Sequence, residues 1–103
     1  LSIFTDDKEY KLFAFADSGN KLKEPFSDYP VIIVDKSKIP EKCERLIPCQ
    51  TVSGEGMLKA FKPDKVIISS SKNKIELTKV YVAFSEVKSK SFSAILSNEL
   101  INI

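Results

Sequence analysis

The most informative segment of the sequence is an apolar alternation that ends abruptly in a polar turn, Phe13-Ala14-Phe15-Ala16-Asp17-Ser18-Gly19-Asn20. Alternating side chains before Asp17 are typical of a β-strand, and the residues after it favour a turn. Such a strand would deliver the Asp17 carboxylate to the floor of a cleft. Gly19 would allow a sharp turn and a close backbone approach, and the Ser18 hydroxyl could donate a hydrogen bond across the loop.

Asp-Ser-Gly has a known chemical use in aspartic proteases. Two carboxylates about 3 Å apart cannot both ionise, so they share one proton. One then acts as general base on a water while the other polarises the scissile carbonyl. Taken alone, these three residues also suit a tight turn without catalysis. The surrounding sequence has to decide between the two interpretations.

Length and composition predict one soluble, globular domain over residues 1–103. The chain is 43% hydrophobic and 29% charged, and its net charge of +2 comes from 16 basic and 14 acidic residues. No apolar run approaches the ~20 residues of a membrane-spanning helix. Basic residues are spread along the chain without the clustering that nucleic-acid binding favours. Because the sequence begins at Leu1 without a methionine, we expect it to be a piece of a longer protein.

The chain has no histidine. Serine, cysteine and histidine-ligated metal hydrolases of the usual kinds need an imidazole as base or ligand, so these mechanisms are nearly excluded. The spacing of Cys43 and Cys49 matches no zinc or redox signature, which predicts structural thiols or one local disulfide. We therefore expect chemistry on carboxylates, lysines or hydroxyls, without a metal or other cofactor.

The remaining patterns predict a mostly β domain with one late helix. Strands are expected at 1–5, 9–16, 31–35, 46–52, 57–61, 66–68 and 75–84. Ser53-Gly54-Glu55-Gly56 is expected to form the turn of a hairpin, because two glycines allow positive φ. Helical spacing from Phe92 to Leu100 predicts a helix with Ser91 as its N-cap. This order of elements is the layout of a retroviral protease monomer.

A closer resemblance covers nearly the whole chain. It is carried by Asp17-Ser18-Gly19-Asn20 with Leu22 and Glu24-Pro25, Pro30-Val31-Ile32-Ile33, Leu46-Ile47-Pro48, Val52-Ser53-Gly54-Glu55-Gly56-Met57-Leu58 and Ala60-Phe61-Lys62-Pro63-Asp64. These segments resemble the sporulation sigma-E factor-processing peptidase family. In that family a membrane-embedded amino-terminal part anchors an aspartic protease domain on the cytoplasmic face of the mother-cell membrane.

The resemblance implies a retropepsin-like closed β-barrel that works as a symmetric homodimer, with Asp17 from each chain at the two-fold axis. It implies that Ser18 and Gly19 complete the catalytic loop. It also implies that Asn20 and the flap, Val52, Ser53, Gly54, Glu55, Gly56, Met57 and Leu58, contact the substrate. The implied substrate is the sigma-E precursor, which loses its amino-terminal prosegment, and the implied activator is a protein secreted from the forespore.

Two departures from retroviral proteases stand out. Those enzymes usually have threonine where Ser18 stands, which keeps the hydroxyl. They also carry a hydrophobic-hydrophobic-Gly segment just before the late helix, whereas residues 80–91 contain no glycine. We therefore expect this loop to be built differently, so that its substrate contacts cannot be transferred.

Two other functions remain open on the sequence. Ser69-x-x-Lys72 and Ser85-x-x-Lys88 have the spacing of serine–lysine hydrolases. That motif works at a helix start, and both copies lie beside strand-like sequence rich in serine and lysine, which favours chance. A β-rich binding module that recruits partners through an exposed strand edge is the alternative outside enzymes.

Overall fold

The computed structural model describes residues 1–51 and 54–101. Its elements are, in chain order, β1 (Ser2–Thr5), β2 (Lys8–Lys11), β3 (Ala14–Ala16), β4 (Val31–Asp35), β5 (Arg45–Thr51), β6 (Gly54–Phe61), β7 (Lys65–Ser69), β8 (Lys74–Leu77), β9 (Tyr81–Ser85), β10 (Ala94–Leu96) and α1 (Asn98–Ile101). The mostly β architecture predicted from the sequence is confirmed.

The described strands form two sheets and not the single closed barrel that was expected. The four-stranded sheet has the order β2-β1-β7-β8, and the six-stranded sheet has the order β3-β10-β4-β9-β6-β5. In the six-stranded sheet β10 runs parallel to β3 and β4 runs parallel to β9, while the other pairs are antiparallel. Asp17 directly follows β3, so it lies at one edge of this sheet.

Two expected strands are each split between the sheets. The alternation over 9–16 is broken at Leu12 and Phe13, so that β2 joins the four-stranded sheet and β3 joins the other. The run over 75–84 is likewise split into β8 and β9. Period-2 patterning identifies extended backbone but not which sheet it joins, because that depends on contacts distant in sequence.

The helix expected from Ser91 is wrong over most of its length. Ala94–Leu96 is strand β10, which pairs with both β3 and β4. A single helical turn, α1, follows it. The i, i+3 spacing of apolar residues was real, but a short segment with partners on both sides gains more from ladder hydrogen bonds and burial than from a few helical turns.

β4 and β9, the two central strands of the six-stranded sheet, are buried on both faces. This burial explains why their sequences are continuously apolar. Inward-facing residues of β4 and β9 join the main core, which lies between the sheets: Ile3, Ile32, Val34, Ile39, Phe61, Val66, Val80, Val82, Phe84, Ala94, Leu96 and Leu100. The intervening residues join a smaller core on the outer face of the six-stranded sheet: Val31, Ile47, Ala60, Tyr81 and Ala83. Strands buried on both faces lose the apolar–polar alternation that half-buried strands show.

Local turn chemistry sets several connections. Asp6 and Asp7 have φ of 53° and 60°, which fits the two-residue turn between β1 and β2. Pro48 lies in β5, an edge strand, where its missing N–H does not interrupt a central ladder. Cys43 and Cys49 are free thiols, which agrees with the first of the two expectations for them.

Glu24 organises the loop that leads from the Asp17 turn into β4. Its side chain is only 1% exposed and accepts hydrogen bonds from Ser27 Oγ at 2.7 Å, Ser27 N at 2.8 Å and Phe26 N at 3.2 Å. Burial alone would raise the pKa of Glu24, but these hydrogen bonds, with attraction from Arg45, hold its pKa below the ordinary value of 4.5. The ionised form is therefore the one that stabilises the fold.

We predict that Glu24→Gln lowers the urea midpoint at neutral pH, because the amide replaces one acceptor oxygen with a donor facing N–H groups. A lowered pKa in the folded state stabilises the fold above the ordinary value, and that stabilisation is lost as the pH falls through the lowered value. The midpoints of wild type and variant should therefore converge in acid. Glu86→Gln, at an exposed position, is the matched control. A wild-type advantage that persists unchanged to low pH would contradict this role.

Candidate active site

The turn after β3 presents the Asp17 carboxylate beside a glycine. Gly19 N donates to Asp17 Oδ1 at 2.9 Å, and Asn20 N donates to Asp17 O at 3.1 Å. A Cβ added to Gly19 would lie 3.2 Å from Asp17 Oδ1, which is tighter than ordinary van der Waals contact. A side chain at position 19 would therefore crowd the carboxylate, which is compatible with the expected role of Gly19; that role stays a prediction.

Asp17 keeps part of its carboxylate available. Its side chain is half-buried, and within residues 1–51 and 54–101 no hydrogen bond engages its Oδ2. Ser18 is exposed, and the hydrogen bonds of this same part of the chain include none from its hydroxyl. Among the described residues of one chain, the Ser18 hydroxyl therefore has no partner for the expected hydrogen bond across the loop.

Asn20 ties the turn to the middle of the sheet. Its side chain is 8% exposed, and Nδ2 donates to Val31 O at 3.3 Å and Ile95 O at 3.5 Å. Its Oδ1 accepts from Leu22 N at 3.2 Å. One amide therefore joins the Asp17 turn to both β4 and β10. These hydrogen bonds occupy both ends of its amide. The expected contact of Asn20 with substrate stays a prediction.

A hairpin projects from the opposite side of the sheet. β5 and β6 pair from Arg45↔Ala60 out to Thr51↔Gly54, whereas β6 pairs with β9 only through Ala60 and Phe61. Beyond that base the two strands pair only with each other among the described residues, so they form a two-stranded arm. An arm of this kind is a suitable shape for the expected flap.

The glycines of the arm are not where the sequence predicted. Gly54, Glu55 and Gly56 lie in β6, paired with Thr51, Gln50 and Cys49, so these three are strand residues and not part of the turn expected at 53–56. Val52 and Ser53, which the flap prediction also includes, lie outside the described residues. Met57 is 56% exposed, and Leu58 packs against the smaller core.

Ser97 connects β10 to α1. The segment Ile95-Leu96-Ser97 directly precedes this helix and, like residues 80–91, contains no glycine. Ser97 is 1% exposed, and its Oγ accepts a hydrogen bond from Glu99 N at 3.3 Å. In the sequence, two apolar residues followed by a capping residue could have predicted a helix that begins after Ser97. The longer helix expected from Ser91 covered the same residues, so this signal was missed.

The loop that leads into β10 is fastened by Asp35. Its Oδ1 accepts from Val87 N at 3.0 Å, and its Oδ2 accepts from Ser37 Oγ. The hydrogen bond from Ser37 and then that from Val87 hold the pKa of Asp35 below its ordinary value. Asp35 N also donates to Ser93 O at 2.8 Å. One aspartate therefore fixes both ends of the connection from β9 to β10.

Neither serine–lysine pair lies at a helix start. Ser69 and Ser85 are the last residues of β7 and β9, and Lys72 and Lys88 lie in the connections that follow. Among the described residues no group of three or more His, Cys, Asp or Glu side chains could hold a metal ion. No helix within 1–51 and 54–101 has the length and apolar character to cross a membrane.

We predict that Asn20→Ala lowers the free energy of unfolding by about 2 to 3 kcal/mol, because it removes the three hydrogen bonds that the buried amide makes with Val31 O, Ile95 O and Leu22 N. Urea denaturation monitored by circular dichroism measures the loss. Asn73→Ala, the same change at an exposed position between β7 and β8, should cost little. Equal effects of the two substitutions would show that the Asn20 amide does not hold the turn.

Comparison with known proteins assigns the family. The family model described as sporulation factor SpoIIGA matches residues 1–44 and 40–100. A probable sporulation sigma-E factor-processing peptidase of Clostridium acetobutylicum is 33% identical over an alignment that covers 91% of this chain and 38% of the relative. The chain thus spans well under half the length of that relative. No solved structure matches. The chain belongs to the sporulation factor SpoIIGA family of peptidases.

Proposed function

We propose that this chain is the protease domain of a sporulation sigma-E factor-processing peptidase, that it works by aspartic chemistry, and that Asp17 is its catalytic residue. The observation that carries the proposal is the Asp17 turn. It presents a half-exposed carboxylate at the end of an edge strand, with one oxygen held by Gly19 N at 2.9 Å. The match to a peptidase family supports proteolysis as the use of that carboxylate.

The site of one chain supplies one carboxylate, so the working unit is a symmetric homodimer. Two copies meet with their Asp17 turns at the two-fold axis, and the paired carboxylates share a proton. The exposed Ser18 hydroxyl is available to the partner copy, which accounts for its lack of a hydrogen bond within the described chain. This is the retropepsin-like arrangement that the sequence resemblance implied.

In the proposed reaction the dyad activates one water. The ionised carboxylate takes a proton from the water as it attacks the scissile carbonyl carbon, and the protonated carboxyl donates its hydrogen bond to the carbonyl oxygen. Collapse of the tetrahedral intermediate breaks the C–N bond, and the leaving nitrogen receives a proton from the dyad. No covalent enzyme intermediate and no cofactor is part of this scheme.

The hairpin arm of β5 and β6 acts as the flap over an extended substrate. Gly54 and Gly56 lie within β6 rather than at its turn, so their use is close approach of a substrate backbone. Closure of such an arm would exclude water other than the reacting molecule. Asn20 supports the floor of the cleft from below through its bonds to β4 and β10.

The substrate and setting follow from the family. The proposed substrate is the sigma-E precursor, cut to remove its amino-terminal prosegment, in the mother cell of an endospore-forming bacterium. We include in the proposal that further parts of the protein attach this domain to the cytoplasmic face of a membrane. Activation by a forespore-derived protein belongs to the same proposal.

Asp17→Asn tests the proposed function directly. We expect it to abolish shortening of the sigma-E precursor, seen by gel and mass spectrometry, because an amide cannot share the proton or act as a base. The circular dichroism spectrum should be unchanged, since the carboxylate lies on a turn. Asp64→Asn, an exposed aspartate on another loop, should cleave like wild type. Retained cleavage by a folded Asp17→Asn protein would remove Asp17 from catalysis.

A further inference from the structure

Two lysine-rich turns meet at one edge of the six-stranded sheet. β4 and β9 run parallel, with Asp35 paired with Ser85 at their carboxyl ends, so these ends lie side by side. β4 is followed directly by Lys36-Ser37-Lys38, and β9 is followed shortly afterwards by Lys88-Ser89-Lys90. All four lysines are exposed. We call them the lysine edge, and because the two turns are distant in sequence, only the fold brings them together.

Hydrogen bonds hold the two turns against each other. Lys36 N donates to Ser85 O at 2.9 Å, and Val87 N donates to Asp35 Oδ1 at 3.0 Å across a sequence separation of 52 residues. Within the first turn, Lys38 N donates to Asp35 O at 3.0 Å. Neighbouring strands lie ~4.8 Å apart, so the turns begin as direct neighbours. The lysine edge is therefore carried on backbone that the fold fixes.

The lysine edge carries the net charge of the chain. Within the two turns its four lysines are opposed only by Asp35 and Glu86, which leaves an excess equal to the +2 of the whole sequence. The remainder of the chain is therefore electrically balanced. Among residues 1–51 and 54–101, the one ion pair that involves these lysines joins Lys88 Nζ to Glu86 at 4.0 Å, with both side chains largely exposed. An exposed excess of one sign attracts a surface of the opposite sign.

The lysine edge lies across the sheet from the Asp17 turn. β10 runs parallel to β3 and antiparallel to β4, so β3 ends where β4 begins. Leu1 lies on the lysine side, because Leu1 and Leu12 exchange backbone hydrogen bonds of 3.0 and 2.8 Å and the next residue, Phe13, accepts from Ser93 N at 2.9 Å. A segment attached ahead of Leu1 would reach the six-stranded sheet on this side and leave Asp17 open to substrate.

We propose that the lysine edge docks this domain on an anionic phospholipid surface. This rests on the proposed function, which attaches the domain to a membrane through further parts of the protein, and it adds a lipid contact by the domain itself. A lysine ammonium is a compact point charge that attracts phosphate groups without a fixed geometry. Residues 36–38 and 86–90 contain no arginine and no aromatic residue, which bidentate phosphate recognition and nucleic-acid stacking would use.

Docking by this edge orients the proposed active site. The carboxyl ends of β4 and β9 face the lipid headgroups, and the Asp17 turn is at the opposite edge of the same sheet. Neither lysine turn contains a residue of the proposed catalytic machinery. Lipid contact and peptide cleavage therefore belong to opposite edges of the sheet, and each can be lost without the other.

Vesicle partitioning tests the lysine edge without using activity. A myristoyl group linked ahead of Leu1 supplies a weak, reversible anchor. Binding is then compared between vesicles of phosphatidylcholine alone and vesicles of equal parts phosphatidylcholine and phosphatidylglycerol. We expect the anionic vesicles to bind roughly 25-fold more tightly, from two net charges at about fivefold each, and high salt to remove the difference. Equal binding to both kinds of vesicle would overturn the proposal.

Paired substitutions locate the contact. Lys36→Gln with Lys38→Gln removes one half of the lysine edge, and Lys88→Gln with Lys90→Gln removes the other. Each double variant should abolish the preference for anionic vesicles, because each leaves the two turns with no net charge. Circular dichroism should show an unchanged fold, since all four side chains are exposed. A preference that survives in either double variant would contradict a surface formed by both turns.

A second lysine pair provides the matched control. Lys72→Gln with Lys74→Gln removes the same charge from exposed positions of the same spacing. Asn73, between them, lines a groove with Ala16 and Leu100, on the Asp17 side of the molecule. This variant should keep most of the preference for anionic vesicles. If it loses the preference as fully as the other two do, overall charge and not the lysine edge is responsible, and the proposal is wrong.

A cleavage assay separates this inference from the function it rests on. Both lysine-edge variants should shorten the sigma-E precursor in solution as wild type does. Cleavage by a protein with no preference for anionic vesicles would overturn the lipid contact and leave the proposed proteolysis intact. Absence of all cleavage would count against the proposed function, whereas vesicle binding still decides the lysine edge. Binding to polyglutamate or duplex DNA but not to anionic vesicles, lost in both variants, would give the edge another partner and overturn the proposal.

Discussion

The amide of Asn20 is the interaction on which the site depends. The turn that carries Asp17 comes early in the chain, and the strand it follows has a single described partner, β10, from the other end of the chain. The hydrogen bond from Asn20 Nδ2 to Ile95 O closes a sequence separation of 75 residues, and a second bond reaches Val31 O. Fixing the Asp17 turn by buried side-chain hydrogen bonds gives the rigidity that the proposed carboxylate chemistry requires.

The rest of the fold supports that contact from two directions. Glu24 shapes the connection from the turn into β4, and Asp35 fastens the connection into β10. Each carboxylate accepts hydrogen bonds from a serine hydroxyl and from backbone N–H groups, and these bonds hold the pKa of each below its ordinary value. Asp17 differs from them, since a single backbone N–H among the described residues engages its side chain. Glu24 and Asp35 thus hold loops, whereas the Asp17 carboxylate keeps one oxygen without a hydrogen bond among the described residues, as its proposed catalytic role requires.

Local chemistry could be read from the sequence more reliably than long-range pairing. The 31–35 strand was predicted with its exact bounds, and the Asp17 turn and the hairpin of β5 and β6 were predicted from turn and strand patterns. The closed barrel, the unbroken 9–16 strand and the long late helix were wrong. These three predictions failed because they depend on which sheet a segment joins, and hydrophobic periodicity does not specify the sheet. The clamp by Asn20 was missed for the same reason, because both of its acceptors are backbone carbonyls that any sequence would supply.

The central claim is that Asp17 acts only together with Asp17 of a second copy, and mixing wild-type with Asp17→Ala protein tests it most directly. After free exchange at equal amounts, random pairing leaves about a quarter of the dimers with two carboxylates. If the two carboxylates act as a shared dyad, cleavage of the sigma-E precursor per total dimer falls toward that quarter of the wild-type value. Activity that falls only to half, in proportion to dilution, while a sizing method shows that mixed dimers have formed, would contradict the shared site.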